Sequence, residues 1–284
     1  MMTNSVFNLY DPSDPFLPPE IANRILNYVA NENLVLVGGQ AIMFWLHYYG
    51  LIEEHESLTR DIDFFGQRAD IEDADLRLAN FSHETIYAGW DDSSPHPFGW
   101  ASNANSGIIL VEIPGLKKKL VIDFLWAIQG LSGSELREKA VSAKIPGINN
   151  PILVLHPFMC LESKISNLGA IPEKRCIEGI EQARLSIEIV RLYLLNLINQ
   201  GRERDALKMV ERIAKVASSD SSNYAYVVCC INVLNAIPLD EFKSIDFKEK
   251  RYLQIENHIS NRRDRFIKLL PNNPTIENTE RMRF

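Results

Sequence analysis

Two aspartates one residue apart, Asp61 and Asp63, sit inside the segment TRDIDFF of this 284-residue chain. Alternate side chains of an extended strand share a face, so the two carboxylates converge. A third acid, Asp123, stands in the middle of the apolar run LVIDFLW. A carboxylate on an apolar strand is costly to bury unless it is paired, hydrogen-bonded or metal-bound. Three of them on neighbouring strands repel one another unless cations neutralise them. Mg²⁺ takes octahedral oxygen ligands, typically a few carboxylates with substrate phosphates and water. Two such ions can clamp both the attacking and the leaving oxygens of a phosphoryl or nucleotidyl displacement. Asp61, Asp63 and Asp123 are therefore read as catalytic carboxylates and as ligands for two Mg²⁺ ions.

The segment before the acids supplies the other half of such a site. LVLVGGQAIMFW reads as a short apolar strand over 34–37, a Gly38-Gly39 turn and a mostly apolar helix over 40–49. Glycines let the backbone approach a phosphate closely, and the first turn of a helix offers unpaired N–H groups and a positive dipole end. Gly38 and Gly39 are expected to cradle the triphosphate of an NTP substrate. Thr59 and Arg60, beside the acids, are further candidates for the nucleotide, with Arg60 equally readable as pointing to the opposite face and pairing structurally. Gly-Gly alone says little; strand, turn, helix, Asp-x-Asp and a later strand acid in series say much more.

The elements that must hold these residues follow from pattern. Residues 20–30 carry apolar positions at helical spacing, 61–65 form the next strand, 70–78 an acidic surface helix and 83–87 another short strand. A loop rich in Asp, Ser, Pro, Asn and Gly spans 89–106, and residues 107–113 and 119–126 form a β-hairpin about Pro114-Gly115. From Pro151 the pattern turns helical, with helices expected over 158–168, 176–199, 202–217, 223–236 and 248–270. The fold class is α+β: a mixed-sheet domain over residues 1–150, then an all-α domain over 151–284 ending in a loose polar tail.

Charge and cysteine content narrow the classes. The first 100 residues hold 16 acids against 4 bases, so a chain of net charge −7 leaves +5 for the remainder. An acidic first third argues against broad nucleic-acid wrapping there, while the basic part can still touch a phosphate backbone. Cys160, Cys176, Cys229 and Cys230 have neither CxxC spacing nor a disulfide framework and read as buried helix thiols. No apolar run reaches the length of a membrane helix and no leader pattern opens the chain, so a cytoplasmic location without a membrane partner is the expectation.

At VGGQAI, TRDIDFF, VIDFL and LHPFMCLESKISNL the chain resembles the DNA polymerase beta-like nucleotidyltransferase superfamily. More narrowly, it looks like the AbiEii-type branch, the nucleotidyltransferase toxins of type IV abortive-infection (toxin–antitoxin) systems. The resemblance covers about residues 34–188. It implies transfer of NMP from an NTP to a hydroxyl of RNA, tRNA in particular, or of protein, with an antitoxin protein as a further partner. It also assigns Asp61, Asp63 and Asp123 to Mg²⁺ and Lys164, in the helix LESKISNL, to the triphosphate. The chain departs from the pattern at Gly39, where many members have serine, and at Gly179, where the related toxins place an Asp. Glu178 and Glu181 flank that second position.

Other readings compete. The same fold can bind a nucleotide or a partner without catalysis. Asp-x-Asp also occurs in haloacid-type phosphatases, but there a small Thr or Val is expected where Phe64 stands. Lys164 also fits a snorkelling lysine on an apolar helix. Trp90, His96 and Trp100 fit a small core under the long loop better than a base-stacking platform. His156 reads as a cap, and Arg262, Arg263 and Arg265 as a solvated helix face.

Overall fold

The computed structural model describes residues 16–52, 59–78, 83–86, 105–112, 119–145, 148 and 150–269. It divides into two compact units, Met1–Ile128 with Arg137–Leu155, and Gln129–Leu136 with His156–Phe284. Trp90, His96, Trp100, the Pro114-Gly115 turn and the C-terminal tail lie outside the described residues.

The first unit is built on a mixed seven-stranded sheet. Its strands are β1 (Val35–Val37), β2 (Ile62–Phe65), β3 (His83–Ile86), β4 (Asn105–Val111), β5 (Leu120–Leu125), β6 (Val141–Ala143) and β7 (Ile152–Val154), in spatial order β3-β4-β5-β2-β1-β7-β6. β2 and β5 run parallel, as do β1 and β7, while the other neighbours are antiparallel. Helices α1 (Pro19–Val29), α2 (Gly38–Tyr48) and α3 (Arg68–Leu78) accompany it. α1 begins with proline at its first turn, where the missing N–H costs nothing, and buries Ala22, Ile25, Leu26 and Val29 on one stripe. α2 is buried almost all round, and Trp45 Nε1 anchors it by donating to the Leu155 carbonyl at 2.8 Å.

Alternation decides which side of the sheet is core. Along β5, Leu120, Ile122 and Phe124 are buried while Val121, Asp123 and Leu125 are half-buried. In β2, Ile62 and Phe64 are buried and Asp63 is half-buried. Phe64 and Phe124 stack at 5.8 Å on the core side. The acids therefore occupy the more open face, and Asp123 is not the buried carboxylate that its apolar flanks suggest.

The second unit is helical, with α5 (Pro157–Ala170), α6 (Ile177–Asn199), α7 (Glu203–Ala217), α8 (Asp220–Cys229) and α9 (Tyr252–Leu269). A seven-residue helix, α4 (Gly133–Lys139), precedes β6 in the chain. No single helix among the described residues is long and apolar enough to cross a membrane.

Several sequence expectations are corrected. The helix expected over 223–236 ends at Cys229, because Cys230 adopts φ 55° and Ile231 N–H turns back to the Ala225 carbonyl. A 3-10 turn over Val233–Ala236 follows, capped by Asn232. The last helix opens with a π-helical turn over Phe247–Arg251. Cys160 and Cys229 are buried, but Cys176 is half-buried and Cys230 exposed. Arg263 does not belong to a solvated face: it is 8% exposed, its guanidinium lies 3.6 Å from the Tyr226 ring centroid, and it donates to Asn232 Oδ1 at 2.7 Å. β6, β7 and α4 have no counterpart in the sequence reading. Their three-residue strands are too short for periodicity to reveal.

Candidate metal and nucleotide site

Asp63 and Asp123 are register partners in the parallel pair of β2 and β5, so their side chains leave the same face side by side. Asp63 also faces Val37, the last residue of β1. Asp61 lies in a bend just before β2 rather than within it, two residues from Asp63. Each acid presents a carboxylate oxygen such that all three lie within 4.8 Å of one another. Three hard oxygen donors at that spacing can hold a divalent cation such as Mg²⁺.

Asp61 is held by side chains. Thr59 Oγ1 lies 2.9 Å from Asp61 Oδ1 as its hydrogen-bond donor and 3.3 Å from the Asp61 carbonyl oxygen. Gln40 Nε2 donates to that same carbonyl at 3.4 Å. Thr59 and Gln40 are both buried. The Thr59 carbonyl in turn accepts from Leu17 N–H at 2.7 Å, which ties the bend to the residues leading into α1.

The glycine turn touches the acids directly. Gly38 has φ +63°, a conformation that favours glycine. A Cβ placed on it would overlap Asp63 Oδ2 and come within 2.6 Å of Asp63 Cγ. Its missing side chain thus gives Asp63 its space. Gly39, next along, is buried in the first turn of α2. Val37, the residue before that turn, supplies no side-chain cap; the leading N–H groups of a helix have no partner within it and carry the positive end of the helix dipole.

No protein-family model matches the chain. No curated protein matches its sequence. Among solved structures it is similar to that of JHP933 from Helicobacter pylori, at TM-score 0.38 and 14% identity over 88% of this chain and 91% of that one. It is similar also to a structure named "putative nucleotidyltransferase from H. pylori", at TM-score 0.36 and 15% identity over 89% and 96% of the two chains.

The Arg60 guanidinium lies 4.6 Å from the centroid of the Phe16 ring, so an aromatic face covers one side of it. Lys164 belongs to the second unit, on α5, where its ammonium donates to Gln182 Oε1 at 2.6 Å. His156 caps α5 by accepting from Phe158 N–H at 3.2 Å through Nδ1, and its Nε2 is 3.2 Å from the Tyr193 hydroxyl. Gly179, early in α6, has no room for a side chain: a Cβ there would overlap the Lys174 carbonyl oxygen and lie 3.0 Å from its carbon. Glu181 is exposed and 3.8 Å from Arg184, and Glu178 is half-buried. Sequence reasoning missed Gln40 as part of the site. Its place in the first turn of the helix after Gly-Gly is the signal that could have found it.

Proposed function

We propose that this chain is a nucleotidyltransferase that moves NMP from an NTP to a hydroxyl acceptor. The observation that carries the reading is the convergence of Asp61, Asp63 and Asp123 beside a helix N-terminus whose first glycine must lack a side chain to accommodate Asp63. Mg²⁺ bound by the three carboxylates would offset the charge of the triphosphate and lower the pKa of the acceptor hydroxyl.

The chain's own residues do the rest. Gly38 and Gly39 let the first turn of α2 donate backbone N–H groups to the β- and γ-phosphates. The acceptor oxygen attacks the α-phosphorus, the bond from that phosphorus to the bridging oxygen breaks, and pyrophosphate leaves. Asp123 is the acid proposed to take the acceptor's proton. Lys164 is carried over from the superfamily resemblance as the cation that offsets charge on the leaving pyrophosphate. The same resemblance makes an RNA, especially tRNA, or a protein the acceptor, and makes the chain a toxin restrained by an antitoxin.

A second reading, a nucleotide-binding protein without transfer, is favoured by the closed position at Gly179, which leaves no space for the Asp of the related toxins. One experiment separates the two. Incubation with each α-labelled NTP, Mg²⁺ and total RNA or protein should label an acceptor and release pyrophosphate. NTP binding without pyrophosphate release across all acceptors would contradict the enzyme reading.

A further inference from the structure

The three acids are held in different ways. Asp63 and Asp123 sit within strands, and the ladder between β2 and β5 sets their separation. Asp61 precedes the strand, so sheet pairing does not fix it. Its position depends instead on two buried side chains from either side of the glycine turn and the bend. Gln40, 7% exposed, reaches from the first turn of α2 to the Asp61 carbonyl, and Thr59, 4% exposed, reaches both that carbonyl and Oδ1 of the carboxylate.

A hydroxyl that donates to one carboxylate oxygen does two things. It fixes the rotation of the carboxyl group, and it uses a lone pair on Oδ1, which favours Oδ2 as the oxygen presented to a cation. Hydrogen bonds to a charged acceptor are among the stronger ones in proteins. Outer partners of this kind commonly change metal affinity ten- to a hundredfold when lost.

We propose that Gln40 and Thr59 are positioning residues that together hold Asp61 in metal-binding geometry, with Thr59 acting through Asp61 rather than on the nucleotide. The proposal rests on the metal-binding reading of the three acids. Gln40 links that geometry to the glycine turn, because the helix that carries it starts at Gly38. A shift of the turn therefore moves both the phosphate cradle and Asp61.

The test is Mn²⁺ binding to the full chain without nucleotide, followed by electron paramagnetic resonance, for wild type, T59V, T59S, Q40M and D63N. Circular dichroism on each checks the fold. T59V keeps the shape of threonine and removes the hydroxyl, and is expected to weaken Mn²⁺ binding about tenfold. T59S restores the hydroxyl and should return binding to within about twofold of wild type, with Q40M a few-fold weaker. T59V binding as tightly as wild type, or T59S as weakly as T59V, overturns the proposal while leaving the metal site in place. D63N binding Mn²⁺ as wild type does overturns the metal reading and the proposal with it.

Discussion

Asp63 and Asp123 stand opposite each other in the parallel pairing of β2 and β5, and one position further along Phe64 and Phe124 stack on the other face. A one-residue slip between these strands would place an acid against a phenylalanine and break both arrangements. The core pair and the carboxylate pair thus depend on one register.

Like charges this close oppose folding when no cation is present. In a chelator, D123N should be more stable than wild type by about 1 kcal/mol. Saturating Mg²⁺ should reverse the order, since ligand at a hundred times its dissociation constant adds about 2.7 kcal/mol to the state that binds it. Urea midpoints with and without Mg²⁺ give both numbers. A wild-type midpoint indifferent to Mg²⁺ would contradict the site.

Gly38 and Gly50 form a matched pair of controls. Both have positive φ, +63° and +66°, but among the described residues nothing lies within 4 Å of a Cβ on Gly50, whereas one on Gly38 meets Asp63. G50A should lose only the left-handed penalty, on the order of 1 kcal/mol, and keep transfer activity. G38A should lose more stability and lose transfer with it. Equal behaviour of the two variants would mean that the close approach to Asp63 has no consequence.

The cysteines should differ in reactivity. Burial pushes the Cys160 thiol up to about 12, so it holds no thiolate near neutrality. Cys229 is also raised, by burial first and then by its neighbour Cys230, while Cys230 itself is exposed. Iodoacetamide on the native chain should modify Cys230 first and spare Cys160 until unfolding, as read by peptide mass spectrometry.

Glu162 on α5 carries a pH signature. Burial raises its pKa, with Arg212 at 3.9 Å lowering it and Glu135 raising it further. A carboxyl whose folded pKa exceeds its unfolded value binds more protons when folded, so its contribution is fully present in acid and is lost as pH rises through the folded pKa. E162Q should therefore be the more stable form at pH 7. That advantage should vanish below the ordinary carboxylate range, which thermal melts across pH will show.

Asp63 and Asp123 were legible because each interrupts a run of apolar residues, and strand alternation makes such interruptions point one way, whereas Asp61 was found by its spacing from Asp63 although it lies in the bend before β2. The α+β order, the hairpin of β4 with β5, and the start of α2 at the glycine turn follow from the same patterns. Other features were hidden for physical reasons. β7 is three residues long and pairs in parallel with β1, more than a hundred residues away, so no local period marks it. The break after Cys229 rests on one left-handed residue of a type rarely found there. Arg263 is buried by a tyrosine from another helix, which a charge cluster in sequence cannot reveal. Gln40 reads as an ordinary polar residue beside Gly-Gly until the bend before β2 brings the Asp61 carbonyl to it.

Nucleotidyl transfer as proposed requires that Asp61, Asp63 and Asp123 together hold the metal. A crystal soaked with Mn²⁺ and a non-hydrolysable NTP, with anomalous scattering recorded for manganese, tests it most directly. A manganese peak is expected about 2.1 Å from an oxygen of each of the three carboxylates, the oxygen-ligand distance typical of a small octahedral divalent cation, with the triphosphate running toward the first turn of α2. Manganese bound elsewhere, with no peak among these three acids, would contradict it.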